Sequence, residues 1–235
     1  MTPELTELIA PARVVVWDFD GPICRLFAGH EAERAAAALV APLERQGLSG
    51  LLTDAERETR DPRVVLRAAH RLPPGTDLRA ELEELLAREE LRAVSSAMPT
   101  AYADPLIRTW TAIGARMAIA TDTSARAVRA YLDSRGLISC FGPHIHGRTQ
   151  DAPYRLDRAL DAMGTAPADA LVIGGTPADL RAAQTAGVPF LGHARNQDEE
   201  NLLRQAGASA IVRSFEPVLS ALRATRSGRT PSGNL

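Results

Sequence analysis

Short β-branched runs alternate with longer amphipathic segments through most of this chain. That alternation is the pattern of βαβ units, a parallel sheet buried between helices. The first run, 13–18 (RVVVWD), is a near-continuous apolar strand of the kind covered on both faces. Further strands are expected at 115–121, 170–174, 188–191 and 210–212. All but the first fall in the second half of the chain, because 24–98 carries no strand signal and reads as helices over 28–46, 61–71 and 76–94. In the last of these Thr76 is placed to cap, and Leu78, Leu82, Leu85 and Leu86 make an apolar stripe. The stretch is an inserted helical subdomain. It leaves the sheet straight after the first strand and returns before a helix opened by Asp104 as N-cap and Pro105 at N1. Later helices are expected near 124–135, 153–164, 177–186, 197–206 and 215–224. The reading is therefore an α/β core of 1–23 and 99–224, an α-helical insert of 24–98, and a polar, disordered tail of 225–235. Open α/β sheets bind ligands beyond the carboxyl ends of their strands, which is where such an insert sits.

The 235 residues suit one large domain or a core with a smaller insert. With 45% hydrophobic and 24% charged residues, intrinsic disorder and fibrous repeats are excluded. A net charge of -2 argues against nucleic acid or an anionic membrane as partner. No apolar stretch approaches the roughly 20 residues that span a bilayer, and the first residues, MTPELTELIAPAR, lack the pattern of a signal peptide. The cytoplasm is the expected location. Cys24 and Cys140 are far apart and have no CxxC spacing, so both are expected to be buried small apolar residues. The chain contains no lysine: all 27 basic residues are arginine. Positive charge at a site must then come from arginine, a metal or a helix N-terminus.

Three strand ends carry candidate chemistry. The first strand runs into Asp18-Phe19-Asp20-Gly21-Pro22, where two carboxylates can bind Mg²⁺ or divide into nucleophile and general acid/base; alone, they could equally shape a turn. The second ends at Thr121, followed by Asp122-Thr123-Ser124, a hydroxyl beside a helix start that suits phosphate and equally suits capping. The third ends in Gly174-Gly175-Thr176-Pro177-Ala178-Asp179, where Asp179 either reaches a metal or completes a capping box with Thr176. His144 and His146 have the spacing to share one face of a strand, and with His193 they find no third ligand in clear register. Arg25, Phe27 and His30 follow the first carboxylates, where an insert hinge can meet substrate.

The order of these strand ends, with a helical insert after the first, resembles the haloacid dehalogenase superfamily over about residues 13–215. The resemblance implies a Rossmann-like core with a helical cap. It also implies a Mg²⁺-dependent phosphatase that acts on a small phosphorylated metabolite through an aspartyl-phosphate. By motif, Asp18 is its nucleophile, Asp20 its general acid/base and Thr121 its phosphate-binding hydroxyl; Asp18, Asp20 and Asp179 hold the metal.

Two positions depart from the family pattern. Anchoring the third motif on 158–164 (RALDAMG) places Pro153 at its second proline and Gln150 where the family has lysine. In the fourth motif Gly175 replaces an aspartate that normally binds Mg²⁺, which should weaken the metal. Phosphate contacts are then expected from Thr121, Asp122, Gln150 and Arg148, with Arg148 or Arg155 restoring the missing charge. The same departures support the alternative of a degenerate member kept for binding or regulation. Dehalogenation fits poorly, because the family's dehalogenases lack the acid/base that Asp20 provides.

Overall fold

Three valines and a tryptophan form the centre of the sheet in the computed structural model, which describes residues 3–29, 32–149 and 156–227. In chain order the elements are α1 (Pro3–Ile9), β1 (Val14–Trp17), β2 (Cys24–Arg25), α2 (Ala32–Arg45), α3 (Asp54–Arg57), α4 (Pro62–Ala69), α5 (Asp77–Ala93) and β3 (Met98–Pro99). They continue with α6 (Ala103–Ala112), β4 (Arg116–Ala120), α7 (Ala125–Ser134), α8 (Ile138–Phe141), β5 (Ile145–His146) and α9 (Leu156–Met163). Last come β6 (Ala170–Gly174), α10 (Pro177–Ala186), β7 (Phe190–His193), α11 (Gln197–Gln205), β8 (Ile211–Val212) and α12 (Glu216–Ser227). Six strands make a parallel sheet in the order β5-β4-β1-β6-β7-β8. After β1 the chain fills one side of the sheet and then the other, so a topological switch point lies at the carboxyl end of β1, where α/β folds place ligands.

The period-2 geometry of β1 sorts its side chains between two cores. Val15 and Trp17 face a layer built from α1, α6, α7 and α12, while Val14 and Val16 face α9, α10 and α11. Trp17 is fully buried, edge-on to Trp110 at 5.9 Å and to Phe215 at 5.4 Å between ring centroids. Helices α2 to α5 enclose a third, separate cluster that includes Leu39, Leu43, Val65, Leu82 and Leu86. The chain passes to and from them through an antiparallel ribbon of β2 and β3, with Cys24 paired to Pro99 and Arg25 to Met98.

Several sequence expectations need correction. Tyr102, at φ 64, is the N-cap of α6, so Asp104 and Pro105 lie inside its first turn. Thr76 precedes α5 without a side-chain cap; its hydroxyl donates to the Pro73 carbonyl instead. Cys140 is only half-buried. Residues 225–227 belong to α12, and 153–155 of the helix expected at 153–164 and 228–235 of the tail lie outside the described residues. α1, α3, α8, β2, β3 and β5 were not legible: the helices have at most seven residues, and the strands have two each, paired by tertiary contact and not by a local pattern. The stretch expected to hold no strand, 24–98, therefore carries β2 and the start of β3 at its ends. Among the described residues no helix is long and apolar enough to cross a membrane.

His193, at the end of β7, is buried and stacked on Phe215 at 4.7 Å; burial pushes its imidazole down to about 4. Since its unfolded value is about 6.5, the folded state keeps it neutral where the unfolded chain takes up a proton. Its contribution is intact above pH 6.5 and is lost as pH falls toward 4, reaching at most about 3 kcal/mol. Thermal melts across this window should therefore fall less steeply for His193→Gln than for the natural protein. Parallel curves would show that His193 does not control the acid limb.

Candidate functional site

The backbone at the end of β1 aims two carboxylates into one place. Asp18 continues the sheet, its N–H donating to the Ile173 carbonyl at 2.8 Å, and is 7% exposed. The chain then turns through Gly21, whose φ of +117 is one that side-chain-bearing residues rarely adopt. The turn is closed by Gly21 N–H to the Cys24 carbonyl at 2.6 Å and tied to the returning chain by the Thr100 hydroxyl on the Gly21 carbonyl, also 2.6 Å. Asp20 is fixed by the Leu26 N–H, which donates to its Oδ1 at 2.8 Å.

The neighbouring strands add their ends on either side. Thr121, fully buried after β4, hydrogen-bonds Asp18 through its side chain. Ser124, not Thr123, caps α7 by accepting from Ala127 N–H. After β6, Thr176 and Asp179 form the reciprocal capping box foreseen as the purely structural role of Asp179. Asp179 Oδ2 accepts from Gly175 N–H at 3.1 Å, Thr176 N–H at 2.9 Å and the Thr176 hydroxyl at 2.8 Å. A Cβ at Gly174 would lie 2.4 Å from that of Asp179, so the glycine is what lets this carboxylate fold back against the strand end.

These groups line a cavity of about 530 Å³ with Asp18, Asp20, Asp61, Asp122 and Asp179 on its walls. Burial and the charges of Asp179 and Asp122 raise the Asp18 carboxyl well above the usual range, against the Thr121 hydrogen bond that lowers it. Burial likewise raises Asp179 to about 6, although the hydrogen bonds from Thr176 and Gly175 oppose it. A larger cleft of about 770 Å³ lies at the opposite, amino end of the sheet, around Arg13, Arg116 and Asp169. It lacks the switch-point position at which ligands bind in this architecture.

The arginines do not sit where the sequence suggested. Arg148, expected to restore charge at the phosphate, has a side chain 3% exposed and does not line the cavity. It donates to Glu83 Oε2 and Glu90 Oε1, both at 2.7 Å, and to the Asp122 carbonyl at 2.5 Å. Gln150, Arg155 and His30 lie outside the described residues. Positive charge comes instead from the insert: Arg63 of α4 places Nη2 2.5 Å from Asp20 Oδ2 and Nε 3.6 Å from Asp122 Oδ1, and Arg67 lies 3.8 Å from Asp122 Oδ2. Asp122 thus adds a carboxylate that answers the insert's arginines. Phe27 packs beside Arg63, ring centroid to guanidinium carbon 5.8 Å. The signal for both arginines was in the sequence, as Asp61-Pro62 starting a helix with Arg63 and Arg67 four apart on one face. His144, His146 and His193 are not brought together with the carboxylates, and no three His, Cys, Asp or Glu side chains among the described residues form a metal-holding group.

A family model described as haloacid dehalogenase-like hydrolase matches residues 12–187. Among solved structures, a haloacid dehalogenase-like hydrolase from Streptococcus pneumoniae superposes with a TM-score of 0.64 at 16% identity, over 90% of this chain and 98% of its own. A predicted phosphoglycolate phosphatase from Haemophilus somnus gives 0.63 at 14% identity, over 89% and 97%. CbbY from Rhodobacter sphaeroides, solved with phosphate, gives 0.62 at 20% identity, over 90% and 99%. No curated protein sequence matches the chain.

Proposed function

Because the chain belongs to the haloacid dehalogenase-like hydrolase family, we propose that it is a magnesium-dependent phosphomonoesterase acting on a small phosphorylated metabolite. The observation that carries this reading is the convergence of Asp18, Asp20 and Asp179 on one small cavity at the switch point, with Thr121 bonded to Asp18. Its volume suits a small molecule. The phosphatases among its fold neighbours lean the same way.

In this reading Asp18 attacks phosphorus while the bond from phosphorus to the leaving oxygen breaks and Asp20 gives that oxygen a proton. Water then attacks phosphorus, Asp20 takes its proton, and the bond to Asp18 breaks, freeing phosphate and restoring both carboxyls. Thr121 orients Asp18 through its hydroxyl. Asp179 is held in place by its capping box.

The donor set fits a hard divalent cation, since Asp18 and Asp179 are buried carboxyls whose charged forms burial and neighbouring aspartates disfavour. Asp18 and Asp179, with the Asp20 backbone carbonyl, would hold Mg²⁺. Bound there, the ion offsets the charge of a carboxylate approaching a phosphate. With two carboxyl side chains and no aspartate at Gly175, this set would hold the ion weakly.

The test is phosphate release from a panel of phosphorylated metabolites, with Mg²⁺ and with EDTA. Metal-dependent turnover on a subset is the expected result; equal background across the panel in both conditions overturns the reading. Gly175→Asp tests the metal separately. A Cβ there would meet the His193 carbonyl at 3.5 Å and Pro22 Cδ at 3.7 Å, ordinary contacts, so the backbone accepts a side chain at this position. The Mg²⁺ concentration for half-maximal activity should fall by roughly tenfold or more. An unchanged Mg²⁺ titration would show that position 175 does not face the metal.

A further inference from the structure

The cavity presents five carboxylates and three guanidinia, those of Arg63, Arg67 and Arg181. An anionic substrate must enter this excess of negative charge, and the chain has no lysine to receive it. Among the three cations Arg63 is singular. Its side chain is only 16% exposed, while Arg67 is 54% exposed. Its Nε is wholly buried without a hydrogen-bond partner, since Asp122 Oδ1 at 3.6 Å is within ion-pair range but too far for a hydrogen bond. Leaving a buried guanidinium donor unmatched is costly, and such groups call for an explanation.

The local structure aims Arg63 with little freedom. Asp61 caps α4 by accepting from the Arg63 N–H at 3.0 Å, and Pro62 sets the first turn, so the side chain leaves the helix in a fixed direction. Phe27 flanks the guanidinium. Arg67 lies one turn behind on the same face, its own carboxylate contacts at 3.8 and 4.0 Å being looser. A planar guanidinium matches the bidentate geometry of phosphate oxygens.

We propose that Arg63 is the phosphate-binding cation of this enzyme, reaching in from the helical insert and exchanging its contact with Asp20 for the oxygens of the transferring phosphoryl group. The inference rests on the phosphatase reading and deepens it: the charge that stabilises the reacting phosphate belongs to the insert and not to the sheet. It follows that the site is complete only while α4 lies against the ends of β1 and β4. Arg67 contributes at longer range, and Arg181, exposed on α10, contributes least.

The experiment uses the full chain with Mg²⁺, inorganic phosphate as binding probe in calorimetry, and p-nitrophenyl phosphate and acetyl phosphate as turnover probes. Arg63→Ala is expected to weaken phosphate binding and lower kcat/KM by roughly 10²–10³-fold, the range for loss of one preorganised electrostatic group. Arg63→Lys should recover part of this, and Arg45→Gln, an exposed arginine of the insert that does not line the cavity, should stay within about twofold of the natural protein. Millimolar guanidinium chloride should restore turnover to Arg63→Ala, a rescue that a purely structural role would not give; Arg63→Lys serves as the folded comparison. If the natural protein turns over but Arg63→Ala binds phosphate and reacts equally well, the proposal alone is overturned. If the natural protein neither binds phosphate nor turns over, the phosphatase reading falls and takes the proposal with it.

Discussion

Asp18→Asn is expected to lower phosphate release by at least about a thousandfold while leaving the melting temperature unchanged or raised. The loss follows from removing the attacking oxygen, and loss of a nucleophile commonly costs this much or more. The stability result follows from the surroundings. Asp18 is buried and is pushed toward its protonated form by burial, Asp179 and Asp122. An isosteric neutral amide removes a desolvated charge from that cluster while retaining an oxygen for the Thr121 hydroxyl. Sites arranged for chemistry often oppose stability in this way. Turnover assays and melting curves on the same preparations test both halves. Equal turnover in the two proteins would remove Asp18 from its role, and a large drop in melting temperature would mean that its charge is matched by a contact other than those described.

The second large effect concerns the arginine that the site does not use. Glu90 of α5 is fully buried and binds Arg148 through both oxygens, at 2.7 and 3.2 Å, while also accepting from Ser124 N–H at 2.8 Å. Glu83 holds the other edge of the guanidinium, and Arg148 reaches the Asp122 carbonyl behind it. One buried cation thus joins α5 to the loop that carries Asp122 and Ser124. Removing one partner of such a pair leaves an uncompensated charge and costs about 3–5 kcal/mol. Arg148→Met and Glu90→Leu should each lower stability by that order, a fall in Tm of about 10 °C for a chain of this size. The double variant should lose less than the two together, because the fully buried Glu90 charge then leaves with its partner and only the more accessible Glu83 is left without its arginine. Additive losses would show that the pair is not coupled.

The contrast between Arg148 and Arg63 explains how far the sequence could be read. Strands beginning at 14, 116 and 170 announce themselves as apolar runs, because burial on both faces leaves no alternation to decipher. Asp18, Asp20 and Thr121 follow directly, since each is set by its distance from a strand end. The identity of the cation could not be read that way. Arg148 lies near Gln150 in sequence, yet its direction is decided by Glu83 and Glu90, more than fifty residues away. Arg63 is 43 residues from Asp20 and meets it only because the insert folds over the sheet. The capping role of Asp179 was legible, and the bonds that its carboxyl accepts all fall on Oδ2, within a carboxyl that also lines the cavity.

The ribbon of β2 and β3 also shapes the route by which the chain finds its fold. Val14 pairs with Arg116 and Ala170, so the central strand must wait for partners made much later in the sequence. Such distant pairing slows folding, because loop closure has to precede any gain from contact. The ribbon shortens that loop in the folded chain: Cys24 pairs with Pro99 and Arg25 with Met98, so the insert, 24–98, leaves and returns at one place. A chain whose ribbon is disrupted should therefore refold more slowly even where its final contacts survive, which stopped-flow refolding would read.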